Sequence, residues 1–232
     1  MFKHRSYKEE MLDAEGIPKK LLFQNLRELE LVNTWLGGLS ISLAGFRKTL
    51  RKGEKMVLAD IGCGGGEALK AFAKAGRKMN LEAEFIGIDL KADCIEYAEK
   101  MCAGFEEVSF ACGDYQEETL KRPEVTHLHA SLFCHHLRDE QIVELFRFCK
   151  DSGKVLIVND LQRHPLAYAG IWLLTRLLRG SKLVKNDGPL SVLRGFKRRE
   201  LEALLRKAGI ENFSLRWRWA FRYMIIVDHG RD

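Results

Sequence analysis

From residue 56 onward, short apolar runs alternate with amphipathic segments along the chain. Each run has the length of a buried strand and precedes a segment with apolar residues at helical spacing. Repeated units of this kind favour a parallel sheet with helices on both faces. The predicted strands are residues 56–60, 83–89, 107–111, 125–131 and 154–160, and the helices between them are residues 67–78, 93–103 and 139–150.

The N-terminal part of the chain departs from this alternation. The first 18 residues are polar and are predicted to be loosely ordered, whereas residues 19–36 and 39–50 have the pattern of helices. We therefore divide the chain into an N-terminal helical cap or lid, residues 1–52, and a core, residues 53–232.

The C-terminal part departs from it as well. An apolar helical insertion is predicted at about residues 165–190, with a turn at residues 186–189 (NDGP). A helix at residues 199–207 and two strands at residues 213–219 and 221–228 follow. The predicted fold class is α/β: a Rossmann-like, seven-stranded, mostly parallel sheet with helices on both faces, an antiparallel last strand and an N-terminal helical cap.

Composition places the chain among ordinary globular proteins, with 46% hydrophobic and 30% charged residues. No apolar run reaches the roughly 18 residues of a membrane span, and no apolar region typical of a signal peptide follows the polar N-terminus. The six cysteines lack the spacing of a zinc site. We therefore expect a cytoplasmic protein with reduced cysteines and no metal ligands.

The net charge of +6 is unevenly distributed. From Arg163 to the end there are 15 Lys and Arg against 6 Asp and Glu, whereas the preceding part has 23 against 26. A basic C-terminal third suits nucleic acid, an anionic membrane surface or an acidic substrate, and it is equally compatible with a solvated face.

The first predicted strand runs directly into the sequence DIGCGGG, residues 60–66. Gly62, Gly64 and Gly66 allow a tight turn and a close approach of the backbone to a ligand. The helix that begins after them offers free N–H groups, which suit a phosphate or the carboxylate of an amino acid.

Carboxylates follow the next two strands at the same edge of the sheet. Asp89 ends the second strand, where it can accept hydrogen bonds from both ribose hydroxyls. Asp114 follows the third strand, where it can hold an adenine amino group. Three successive strand ends therefore carry the groups that an adenosine ligand needs.

The motifs DIGCGGG, GIDL, ACGDYQE and SLFCHHL together resemble class I S-adenosylmethionine-dependent methyltransferases, over roughly residues 50–232. The resemblance implies S-adenosylmethionine as the cofactor. It also implies that the glycines cradle the methionine part, with Asp60 near its amino group, and that Ser131 borders the sulfonium. The remaining implied contacts are Asp89 with the ribose, Leu90, Asp114 and Tyr115 with the adenine, and Cys63 at a variable position of the glycine turn without a chemical role.

Three further segments suggest a narrower relationship. NLRELELVNTWLGG, NDLQRHPLAY and KNDGPLSVLRGF resemble bacterial methyltransferases associated with type III polyketide synthases, a group similar to quinone-biosynthesis methylases. This resemblance implies a hydrophobic phenolic, quinol or polyketide-type acceptor and O-methylation.

A phenolic hydroxyl has a pKa of about 10, by analogy with Tyr, so it keeps its proton at neutral pH. Methyl transfer to its oxygen therefore benefits from a base. His136 after the fourth strand and His164 after the fifth are the candidate bases, with His135 a weaker one. Arg163 is a candidate to orient the acceptor oxygen. His127 and His129 lie within the fourth strand and are interpreted as structural.

Residues 166–178 are apolar enough to roof an acceptor pocket, with Tyr168 and Trp172 as candidate acceptor contacts. The segment is equally compatible with a plain buried helix. Because Arg176 and Arg179 lie close to these apolar residues, the segment also has the pattern of a helix that contacts a membrane surface transiently. The helix that carries Trp35 is a second candidate for the lid.

Two alternatives remain open at this stage. Arg216, Trp217, Arg218 and Trp219 suit an RNA methyltransferase, although a strand with its tryptophans inside and its arginines outside needs no nucleic acid. C-methylation of an activated ring would use the same site geometry. We favour a small-molecule acceptor over nucleic acid, and the oligomeric state is not predicted.

Overall fold

A computed structural model describes residues 1–229, so the last three residues of the predicted core lie outside the described part. One seven-stranded sheet has the order β3-β2-β1-β4-β5-β7-β6. Only β7 runs antiparallel to its neighbours, β5 and β6. The strands are β1 (Met56–Ile61), β2 (Ala83–Asp89), β3 (Val108–Cys112), β4 (His127–Ser131), β5 (Val155–Leu161), β6 (Ser214–Arg218) and β7 (Arg222–Val227).

Helices cover both faces of this sheet, which confirms the predicted Rossmann-like class. The helices are α1 (Lys19–Trp35), α2 (Gly38–Thr49), α3 (Glu67–Met79), α4 (Ala92–Cys102), α5 (Tyr115–Leu120), α6 (Asp139–Asp151), α7 (Pro165–Leu177), α8 (Lys182–Arg194) and α9 (Arg198–Lys207). The short helix α5 was not predicted, because six residues are too few for a clear helical period.

The central strands are buried on both faces because their side chains alternate between two apolar layers. Val57 and Ile61 of β1 pack in the layer of α6 and α9, whereas Leu58 packs in the layer of α2 and α3. In that second layer Phe46 of α2 stacks on Phe72 of α3, with ring centroids 5.2 Å apart. Helix α2 thus covers the sheet directly, although it precedes the first strand.

The turn predicted at residues 186–189 is wrong, because these residues lie inside α8. Asn, Asp, Gly and Pro favour turns by local preference, but tertiary contacts override that preference here. The Asp187 carboxylate accepts hydrogen bonds from the N–H groups of Met11 and Leu12 at 2.9 Å each. The same contacts order the N-terminal segment, which was predicted to be loose.

The inward position predicted for Trp217 and Trp219 is also wrong. Trp217 is 48% exposed and Trp219 is 68% exposed. Strand β6 lies at the edge of the sheet, and the Trp217 indole N–H donates to Gln162 Oε1 at 2.8 Å instead of packing in the core. Their exposure removes one reason for discounting nucleic acid.

None of the helices in the described residues is both long and apolar enough to cross a membrane. The six cysteines are free thiols, and Cys112 alone among them is exposed.

Candidate active site

A cavity of about 940 Å³ opens where β1, β2 and β4 end. Such a location, outside the carboxyl ends of parallel strands, is the usual ligand site of open α/β sheets. The volume lies at the upper end of the roughly 300–1,000 Å³ typical of ligand pockets. Of the residues predicted to contact the cofactor, those that line the cavity are Asp60, Gly62, Cys63, Gly64, Asp89, Leu90, Asp114, Tyr115 and Ser131.

The glycine turn forms one wall of the cavity. Gly62 has a φ of +67°, and a Cβ there would lie 2.3 Å from the ring of Phe133. Gly66 has a φ of +76° and precedes α3, but it does not line the cavity. A Cβ at Gly66 would lie 3.2 Å from the Cβ of Ala98, so this glycine serves the packing of α3 against α4.

Asp89 is held at the cavity by the backbone on both sides. Its Oδ2 accepts from the Gly64 N–H at 3.0 Å, and its Oδ1 accepts from the Lys91 N–H at 2.9 Å. Burial raises the pKa of this carboxyl group, and the two backbone hydrogen bonds oppose that effect only in part. The carboxylate is therefore fixed in position where β2 ends, beside the exposed Leu90.

Asp114 is the N-cap of α5. Its Oδ1 accepts from the N–H groups of Gln116 and Glu117 at 2.8 and 3.2 Å. The ring of the next residue, Tyr115, packs edge-on against Phe133, with centroids 5.9 Å apart. Capping thus orients the carboxylate that the sequence assigned to adenine.

A buried network of hydrogen-bonded polar groups holds the Asp60 carboxylate in position. His129 Nδ1 lies 2.6 Å from Asp60 Oδ1, and its Nε2 lies 2.9 Å from Ser42 Oγ. The amide of Asn159 donates to the same hydroxyl at 3.1 Å. The structural interpretation of His129 fits this arrangement, whereas the link to Ser42 of α2 has no signal in the sequence.

Glu67, the first residue of α3, is an acidic member of the cavity wall that the sequence analysis missed. Burial raises its pKa to about 7, together with the charges of Asp60 and Glu30, while its own backbone N–H and Asn33 oppose the shift. The carboxylates at positions 60, 67 and 89 make this end of the cavity suited to a cationic ligand.

We expect Glu67→Gln to stabilise the cofactor-free protein at about pH 8 by roughly 1–3 kcal/mol and to change little at about pH 5. The pKa of Glu67 is raised on folding, so its contribution to stability is present below its ordinary pKa and is lost as the pH rises towards about 7. Chemical denaturation at both pH values measures this. Glu99→Gln, at an exposed position of α4, is the control, and the same gain at both pH values would contradict the expectation.

The opposite side of the cavity includes a largely apolar wall. Helix α1 and helix α7 supply most of this wall, and Phe221 adds an aromatic ring. The apolar lining residues from the two helices are Leu26, Leu29, Val32, Leu166, Ala167, Ile171 and Leu174.

Two histidines at this side are each held by a carboxylate. His136 Nδ1 lies 2.8 Å from Asp13 Oδ1, and His135 Nδ1 lies 2.8 Å from Asp160 Oδ1. The pKa of Asp13 is lowered to about 2 and that of Asp160 is also lowered: burial raises both values, but the adjacent histidines more than offset it. Ionised carboxylates only accept, so each Nδ1 donates, and each neutral ring carries its electron pair on Nε2.

Burial lowers the pKa of His136, but the hydrogen bond to Asp13 and the charges of Glu10 and Asp13 outweigh burial and raise it above its ordinary value. Glu10 and Asp13, like the two histidines, line the cavity. Neither acidic residue was predicted, since they belong to a polar segment with no periodic pattern.

The other residues predicted to serve the methyl acceptor, as a base or as a contact, do not line the cavity. His164 caps α7, with its Nδ1 accepting from the Leu166 N–H at 3.2 Å and its ring stacked on Phe221. Arg163 is buried, and its Nη1 donates to the Gly195 carbonyl at 2.5 Å. Tyr168 and Trp172 lie on other faces of α7, outside the cavity lining.

The mostly parallel seven-stranded sheet with a cavity at its carboxyl edge is the Rossmann-like architecture found in enzymes that bind nucleoside cofactors. A family profile described as "Methyltransferase domain" matches residues 52–183, which is more than half of the chain. The chain therefore belongs to the methyltransferase-domain family.

Solved structures share the fold at low sequence identity. A SAM-dependent methyltransferase from Aquifex aeolicus is 15% identical with a TM-score of 0.63, over 88% of this chain and 96% of that one. The plantazolicin methyltransferase BpumL, solved in complex with SAH, is 17% identical with a TM-score of 0.60, over 85% and 78% of the two chains.

The CMeT domain of the citrinin polyketide synthase is 13% identical with a TM-score of 0.60, and the match covers 83% of this chain and about half, 52%, of that one. A search of curated proteins finds no match to the chain. The family and the carboxylates of the cavity agree on S-adenosylmethionine as the cofactor of this enzyme.

Proposed function

We propose that this methyltransferase methylates a hydroxyl oxygen of a hydrophobic aromatic compound of phenolic, quinol or polyketide type. The observation that carries the proposal is a single continuous cavity. It joins the glycine turn and Asp89 at one side to His136 at the other, between apolar walls from α1 and α7. Pockets for apolar ligands have this composition, with few polar groups that fix the orientation.

S-adenosylmethionine supplies the electrophilic methyl group. The chain contributes position, because an in-line displacement requires the acceptor oxygen and the methyl carbon to be aligned. Asp89 and Asp114 would hold the nucleoside, and Asp60 and Glu67 would favour the positive charges of the methionine part. Ser131, where β4 ends, would then lie beside the reacting centre.

In this proposal His136 activates the acceptor. Asp13 fixes its ring through Nδ1, so the electron pair of Nε2 faces the cavity and can take the proton of a hydroxyl. Asp13 also favours the imidazolium that this transfer forms. His164 is no longer proposed as the base, because its ring nitrogen is used at the start of α7.

Incubation with methyl-labelled S-adenosylmethionine and a panel of alkylresorcinols, quinols and RNA tests the acceptor class. We expect label in the aromatic compounds, attached to oxygen in the purified product. Label on a ring carbon would replace O-methylation with C-methylation, which is the named activity of one structural neighbour, the CurJ carbon methyltransferase. Label in RNA alone would contradict the proposal and would give the exposed Trp217 and Arg216 a role in binding bases and phosphates.

A transient contact with a membrane surface is part of the same proposal. Helix α7 is apolar around most of its circumference, so one face lines the cavity while Trp172, Leu173 and Leu177 are exposed. Arg176 lies over the Trp172 ring, 3.9 Å from its centroid. An exposed apolar face with cations beside it suits the interface of an anionic bilayer, from which a lipid-like acceptor could enter.

We expect Leu177→Ser to weaken sedimentation with anionic phospholipid vesicles by roughly tenfold, since burial of a leucine side chain contributes about 1.5–3 kcal/mol. Leu120→Ser is a matched control, because Leu120 is 68% exposed on α5 and Leu177 is 71% exposed. Equal binding of the wild type and both variants would contradict a contact through α7.

A further inference from the structure

The convergence of His135, His136 and Glu10 is not explained by hydrogen bonding. His135 Nε2 lies 3.6 Å from Glu10 Oε1, and His136 Nε2 lies 4.0 Å from Glu10 Oε2. Both distances exceed the range of a hydrogen bond. Both rings donate through Nδ1 to other carboxylates, so their Nε2 atoms converge on the Glu10 carboxylate, and two nitrogen electron pairs face it whenever the rings are neutral.

With both rings neutral these electron pairs repel the carboxylate, and either protonation of His136 or a cation bound between the groups relieves the repulsion. Arg194 is a neighbouring cation, with its Nε 3.8 Å from Glu10 Oε1 and its Nη1 3.3 Å from Asp13 Oδ2. Its guanidinium is oriented elsewhere, however: Nε donates to the His135 carbonyl at 2.9 Å, and Nη2 donates to the His136 carbonyl at 2.8 Å. Arg194 thus fixes the backbone of both histidines without entering the space between their rings and Glu10.

We propose that Glu10, His135 and His136 form a binding site for a divalent transition-metal ion within the acceptor side of the cavity. Their ligand atoms all lie within 4.8 Å of one another. Bonds of about 2.0–2.2 Å around a common ion require these atoms to close to about 3.3 Å, which side-chain adjustments of about 1 Å provide. Two imidazoles and one carboxylate are a donor set of zinc and of non-haem iron sites that keep open positions.

The surroundings of the three ligands support this assignment. Asp160 holds the ring of His135 and Asp13 holds that of His136, which is the carboxylate–histidine–metal arrangement that fixes the tautomer and the ring orientation. The Ser191 hydroxyl donates to Glu10 Oε1 at 2.9 Å and orients the third ligand. Sequence spacing did not reveal the site, because Glu10 is far from the histidines along the chain.

The role of the ion rests on the proposed function, whereas its binding does not. The three ligands line the cavity, so the open positions of the ion face the acceptor. A hydroxyl bound to a dication has a lowered pKa and releases its proton to solvent. In the metal-free chain His136 Nε2 takes the proton, and in the metal-bound chain the same atom is a ligand.

Titration of the untagged, chelator-treated protein with Co²⁺ tests the site without any methyl transfer. We expect one ion per chain, visible d–d bands, and a change in those bands when catechol is added as a probe for the open positions. Zn²⁺ should displace Co²⁺ and abolish the bands. Absence of stoichiometric binding would overturn the proposal, and binding that is indifferent to catechol would overturn the role in acceptor activation.

Variants locate the ion. We expect Glu10→Gln and His136→Ala to abolish the Co²⁺ bands, and Asp13→Asn to weaken binding by about 10–100-fold as the loss of an outer carboxylate. Circular dichroism checks that each variant folds. If His136→Ala does not fold, the isosteric Glu10→Gln still tests the site. His4→Ala, at an exposed position, is the matched control. Full binding by Glu10→Gln and His136→Ala would overturn the assignment.

Discussion

Replacement of Asp89 by Ala is expected to weaken binding of S-adenosylhomocysteine by about 100-fold. Hydrogen bonds to a charged group contribute about 1.5–3 kcal/mol each, and the carboxylate is placed to accept two from a ribose. The change also removes the acceptors of the Gly64 and Lys91 N–H groups, so the glycine turn loses its support. Isothermal titration calorimetry measures the affinity directly and needs no acceptor.

Asp93→Ala is the control for this measurement. Asp93 lies on the adjacent helix α4, where its carboxylate pairs with Lys19 at 3.4 Å on the surface. We expect the control to bind as tightly as the wild type. If Asp89→Ala bound within about threefold of the wild type, the nucleoside would lie elsewhere in the cavity.

Replacement of His136 by Ala is expected to lower kcat by about 10²–10⁴-fold, the usual contribution of a positioned acid or base. Affinity for S-adenosylhomocysteine should be unchanged, because His136 lies on the acceptor side. This loss of kcat is expected whether Nε2 takes a proton or binds a metal ion. Kinetics alone therefore does not separate the two roles, and the Co²⁺ titration does.

His164→Ala provides the comparison, since sequence alone treats the two histidines alike. His164 caps α7, so its loss should cost about 0.5–2 kcal/mol of stability and leave kcat within about twofold. Thermal melts and steady-state kinetics of both variants separate these outcomes. An equal loss of kcat in both would show that the cavity, as described, does not contain the acceptor.

The fold and the cofactor edge were accessible from sequence because their signals are local. The apolar runs that form β1 and β5 are continuous in the sequence. The turn after β1 requires glycine where φ is positive, as at Gly62, so its sequence is recognisable. Asp89 and Asp114 could be placed because each directly follows a strand, and parallel strands end at one edge.

Local signals failed where tertiary contacts decide the outcome. The NDGP sequence is helical because Asp187 binds the backbone of the N-terminal segment. Trp217 is exposed because β6 is an edge strand, which alternation along one strand cannot reveal. Arg163 and His164 follow β5 as predicted, yet Arg163 donates to the distant Gly195 carbonyl and His164 caps α7 through the Leu166 N–H, so neither side chain lines the cavity.

The amino-acid sequence by itself determined the α/β sheet, the methyltransferase class and the strand-end carboxylates that line the cavity, since each depends on residues next to a strand end. Only the tertiary structure decided which of the candidate histidines line the cavity. His136 is positioned by Asp13, which is 123 residues away along the chain, and Glu10 belongs to the same polar segment. Contacts over such separations arise from the packing of the N-terminal segment on α8, and no periodicity in the sequence encodes them.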